Sequence, residues 1–127
     1  MPIRLIPDKD EPSAAVEIPL EKSLPDYDLE QMDQPTPRDV DGILVSQGFR
    51  DLVDDARGVL TEILSGTGFE ITQLTGAICP DHEQVYRPGL WIVLKQNGAA
   101  PNSALSAEAL TGVRKFAEQF AERLDLA

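Results

Sequence analysis

Seven of the ten prolines in this chain of 127 residues fall within residues 1–38, and the hydrophobic periodicity begins only at about Asp39. Proline removes a backbone donor and blocks helix, and it biases the residue before it toward extended conformations. Prolines at positions 2, 7, 12, 19, 25, 35 and 37 therefore exclude a long helix from this stretch. The expectation is an acidic, Pro-rich arm over residues 1–38, extended or partly disordered, followed by a folded domain over residues 39–127.

Three apolar groups interrupt the arm. Ile3, Leu5 and Ile6 form the first. Val16, Ile18 and Leu20 alternate with Glu17, Pro19 and Glu21, which is a strand signal that Pro19 restricts to a sheet edge. Leu24, Tyr27, Leu29 and Met32 form the third, set among Asp26, Asp28, Glu30 and Asp33. An inert linker needs none of these side chains. Tyr27, Leu29 and Met32 are therefore expected to bind, either in a basic groove with an apolar floor on a partner or folded back on their own domain.

In the domain, Val45, Phe49, Leu52, Val53, Ala56, Val59, Leu60, Ile63 and Leu64 recur at steps of three and four, predicting a helix over 39–65 closed by Ser65-Gly66-Thr67-Gly68. Residues 69–79 and 89–96 read as strands. The first needs a bulge near Gln73 or Gly76 to bring Phe69, Ile71, Leu74 and Ile78 into one scheme. The second is apolar on both faces, with Leu90, Ile92 and Leu94 on one and Trp91 and Val93 on the other. Part of the loop between the two, Gln84 to Arg87, can extend the second strand before Pro88 breaks it. A second helix starts from about Ser106 as N-cap and carries the stripe Leu110, Val113, Phe116, Ala117, Phe120 and Leu124. The fold class is α+β, a small two-layer domain in the order helix-strand-strand-helix. Two strands alone are marginal in water, so the sheet must be completed by the arm, by a second copy of the chain or by another protein. The predicted core joins Phe49, Leu52, Leu60, Ile92, Leu94, Phe116 and Phe120.

There are 22 acidic residues against 11 basic ones, a formal net charge of −11. Such a surface repels phosphate backbones and anionic lipid, which argues against nucleic-acid and membrane partners. It favours a protein partner with a basic surface. One cysteine excludes an internal disulfide framework. Residues 1–20 lack the apolar run of a signal peptide, and the longest run of large apolar residues, 90–94, is too short to span a bilayer. The expected location is the cytoplasm.

Cys79-Pro80-Asp81-His82-Glu83 is the one cluster with a chemical look. A closed zinc site wants four ligands, and the chain has one Cys and one His. A nucleophilic pair needs an oriented base, and no glycine-rich oxyanion element flanks Cys79. Gly66-Thr67-Gly68 follows a helix and lacks the downstream Lys and Ser/Thr of a phosphate loop. Asp51, Asp54 and Asp55 read as a solvated helix face. No catalytic, cofactor or metal residue is assigned. The expected function is a non-catalytic protein-binding subunit or adaptor, as a homodimer or a subunit of a larger assembly, with Tyr27, Leu29, Met32 and Trp91 as its partner-binding residues. An acidic inhibitor of the immunity type and a small enzyme dependent on Cys79 and His82 are the alternatives.

Overall fold

The computed structural model describes residues 3–20, 42–80, 86–100 and 102–124. Six main elements follow in the order β1 (Arg4–Pro7), β2 (Ser13–Pro19), α1 (Gln47–Leu64), β3 (Phe69–Pro80), β4 (Tyr86–Gln96) and α2 (Ala107–Leu124). The strands form one antiparallel sheet in the spatial order β1-β2-β4-β3. The fold is α+β. Two strands precede the helix, strand, strand and helix expected from the sequence, and they come from residues 4–19.

The strand expected around residues 15–20 exists, but it is not an edge. β2 pairs with β1 on one side, through Ala14–Glu17, and with β4 on the other, through Ser13–Pro19. Pro19 is tolerated because it stands at the last position of β2, past Arg4↔Glu17, the last pair of the β1–β2 ladder among the described residues, so its missing N–H interrupts no described pair. Pro88 does not break β4, for a related reason. Its carbonyl accepts from the Leu20 N–H at 2.8 Å. The N–H and C=O of one residue leave an antiparallel strand on the same side, so its absent donor falls where β2 ends and costs the β3 ladder nothing.

The bulge lies between Ile71 and Gln73, with Thr72 as the extra residue. It moves Leu74 onto the face of Ile71 and keeps both opposite the apolar row of β4. Leu74 is buried and Ile71 partly so.

Helix α1 starts later than expected. The Ser46 hydroxyl donates to the Ile43 carbonyl at 2.6 Å and accepts from the Phe49 N–H at 3.3 Å. It thereby caps α1 and detaches the helical turn at residues 42–44. Val45, expected in the helical stripe, falls in the break and is 67% exposed. At the other end Gly66 and Gly68 take φ of 76° and 81°, the left-handed backbone that glycine adopts without a steric penalty. Helix α2 is capped as expected, with the Ala109 N–H donating to the Ser106 hydroxyl at 3.1 Å.

Both helices cover one face of the sheet. Phe49, Ala56, Leu60 and Leu64 of α1 and Val113, Ala117, Phe120 and Ala121 of α2 share one cluster with Ala14, Val16, Ile18, Leu74, Leu90, Ile92 and Leu94. Of the predicted core, Leu52 and Phe116 are only partly buried. Phe116 meets Phe69 edge-on at 5.5 Å between ring centroids. Arg123 bonds Glu62 at 3.2 Å across the helix pair.

Candidate functional site

The side-chain period of two assigns each strand residue to a face. Leu90, Ile92 and Leu94 point to the helices. Trp91 and Val93 point the other way, and the register sets beside them Glu17 and Ala15 of β2, Arg4 and Ile6 of β1, and Thr75 and Gln73 of β3. Ile6, Ala15, Ala77, Trp91 and Val93 all stand outside the core cluster and its packed fringe. Among the described residues, neither helix contributes to this face. Ile6, Ala77, Trp91 and Val93 are each partly exposed, while Ala15 is 8% exposed beneath its larger neighbours. A strand apolar on both sides is thus buried on one side only.

This face, which carries no helix among the described residues, has its own electrostatics. Arg4 lies 3.5 Å from Glu17, with the Arg4 side chain open to solvent and Glu17 largely covered. Lys95 is the register partner of Glu70, and Arg87 that of Cys79. Arg4, Arg87 and Lys95 therefore accompany Glu17 and Glu70 on this face, in a chain with twice as many acids as bases.

Cys79 ends the same face and is fully buried. Burial pushes its thiol from 9.0 up to about 12; the Glu17 carboxylate adds to the rise and Arg4 opposes it. At neutral pH it is a protonated, weakly nucleophilic group. Gly89 makes room for it, because a Cβ on Gly89 would stand 2.7 Å from both the Cys79 Sγ and the Ile18 carbonyl oxygen. His82, Asp81 and Glu83 lie outside the described residues, as do Tyr27, Leu29 and Met32. Among the described residues no group of three or more His, Cys, Asp or Glu is placed to hold a metal. No described helix is long and apolar enough to cross a membrane.

A shallow depression of about 480 Å³ opens at the end of α1, lined by Arg57, Thr61, Gly66, Phe69, Glu70 and Asn97 among others. It holds one base, Arg57, and one acid, Glu70. Asp51 is exposed and accepts from the Gln47 side chain at 2.8 Å, as expected of a solvated helix face.

Sequence reasoning singled out Trp91 but missed its neighbours. Ile6, Ala15, Glu17 and Arg4 belong to residues read as an arm. Their signal was the alternation of Val16, Ile18 and Leu20, which fixes Ala15 and Glu17 on the opposite face. No family model, curated protein or solved structure matches the chain.

Proposed function

We propose that the chain is a non-catalytic protein-binding subunit or adaptor, whose rigid docking surface is the sheet face around Trp91. The observation that supports this is the position of Trp91 itself. It stands at the middle of an antiparallel sheet, partly exposed, flanked by Val93 on its own strand and Glu17 and Thr75 on its neighbours. Tryptophan supplies a large contact area at low conformational cost and dominates the energetics of interfaces where it occurs. Among the described residues no helix lies on this face, and Trp91 stays partly exposed on it, which suits contact with another protein. The acidic residues elsewhere on the chain favour a partner with a basic surface and speed its encounter.

Affinity capture from the native host with the wild-type chain and with Trp91→Ala tests this reading. The expected result is a defined protein captured by the wild type and lost from the variant, with the melting curve of the variant within a few degrees of wild type. Capture of the same protein in equal yield by both chains contradicts it.

A further inference from the structure

We propose that the outer edge of β3 pairs antiparallel with β3 of a second copy of this chain, about a two-fold axis at Gly76, so that two four-stranded sheets become one. The proposal does not depend on the Trp91 face, and three observations carry it. The first is the edge itself. The sheet order leaves β1 and β3 outermost. β1 is four residues long and carries Arg4 and Pro7, features that discourage strand addition. β3 runs through Phe69–Pro80. The Pro88 carbonyl is turned toward β2, where it accepts from the Leu20 N–H. Ile78, the register partner of Pro88, therefore turns its own N–H and C=O away from β4, and so do Gly76 and Leu74 at the same phase. In keeping with this phase, the Arg57 guanidinium donates to the Leu74 carbonyl at 3.5 Å. Among the described residues no strand pairs with that side of β3. The second observation is charge. Two copies at −11 each repel, so an interface between them must lie where charge is sparse. Residues 71–80 hold no Asp, Glu, Lys, Arg or His, and neither do residues 42–49. A strand without charge selects no partner by sign, whereas an antiparallel edge is complementary to its own copy. The third observation is that these two uncharged stretches adjoin. A Cβ on Gly76 would stand 3.0 Å from the Leu44 Cδ2 and 2.5 Å from the Phe49 ring. Val45 follows Leu44, and at 67% exposure it is the one exposed large hydrophobic side chain among the described residues. The bulge at Thr72 confines straight pairing to residues 73–79, whose middle is Gly76. An axis there sets Leu74 of each copy opposite Ile78 of the other and brings the two turns that carry Val45 close together.

Sedimentation equilibrium over a wide range of chain concentration, with amide hydrogen exchange followed by NMR, tests this in the wild type, in Thr75→Glu and in Val45→Glu. Both substituted residues are exposed, and circular dichroism and melting check the fold of each variant. The wild type is expected to rise with concentration from 13.9 kDa to twice that mass and no further. In the dimer the amides of Leu74, Gly76 and Ile78 are protected, and dilution removes that protection. The amides of Thr75 and Ala77, which face β4, stay protected throughout. Each variant places like charge across the axis and raises the dissociation constant by about tenfold or more. Added salt strengthens the dimer, because it screens the repulsion between two acidic copies. A mass of 13.9 kDa at every concentration overturns the proposal. A mass that climbs past the dimer overturns it as well, and so do variants that dimerise as tightly as the wild type. A dimer whose Leu74, Gly76 and Ile78 amides exchange freely also overturns it, because the interface then lies elsewhere. If the chain stays monomeric and a captured protein protects those amides, the edge takes the strand of another protein and the second copy is excluded. Should one variant fail to fold, the other variant and the dilution series of the wild type still decide.

Discussion

Gly89 and Cys79 mark how closely the end of the Trp91 face is packed, and Gly76 does the same on the face beneath α1. Gly89 has no room for a side chain, since any Cβ would meet the backbone carbonyl of Ile18, which cannot rotate away. Gly89→Ala should lower stability by about 1–3 kcal/mol, the usual range for overpacking, read as a shift in the denaturant midpoint. At Gly76 the obstacle is the Phe49 ring at 2.5 Å, a side chain that can move, so Gly76→Ala should cost less than Gly89→Ala. Cys79 gives a pH signature. Its thiol titrates at about 12 in the fold against 9.0 when exposed. Below 9 both folded and unfolded chains hold the proton, and stability does not depend on this group. Above 9 the unfolded chain releases its proton first, so stability falls, by at most about 1.4 kcal/mol per pH unit, until the folded thiol ionises too. Cys79→Ala should remove this alkaline slope, and urea melts of the two chains between pH 8 and about pH 11 would show it. Parallel slopes would contradict the burial described for Cys79.

At the scale of elements, β2 decides the integrity of the sheet. Ala14, Val16 and Ile18 contribute buried side chains to the core, and β2 is the strand that links β1 to β4. A chain lacking residues 1–38 should therefore fail to fold cooperatively, shown by the absence of a sigmoidal melt. The sequence rules did find strand character here, but they demoted it. A proline limits a strand to an edge only where every position faces two neighbours, whereas among the described residues the final residue of β2 pairs with β4 alone. Helix α2 was legible throughout, because its cap and stripe agree with each other and with its tertiary role. Phe120 is fully buried at the centre of that stripe, and Phe120→Ala should cost about 3–5 kcal/mol. Helix α1 was legible in its body but not at its start. The Ser46 hydroxyl competes with the helical backbone, and periodicity carries no information on that competition.

Across the whole molecule, the two faces of one sheet divide structure from proposed function. One face buries its apolar rows beneath two helices. The other keeps Trp91, Val93 and Ile6 partly open among charges whose balance differs from that of the chain as a whole. Trp91 was legible as a candidate because both sides of its strand are apolar. The rest of the site was not, because it is assembled from residues about 75–85 positions distant in sequence, paired only through register. Binding driven in part by the acidic surface should weaken with salt, as the screening length drops from about 10 Å at 0.1 M to about 3 Å at 1 M. A partner held mainly by Trp91 and Val93 should retain part of its affinity at the higher value. The most direct test titrates the captured partner into the chain while following Trp91 fluorescence. The expected result is a saturable shift in Trp91 emission at the same concentrations that give binding, with binding itself, followed by calorimetry, lost in Trp91→Ala. Tight binding that leaves Trp91 emission and quenching unchanged would contradict it.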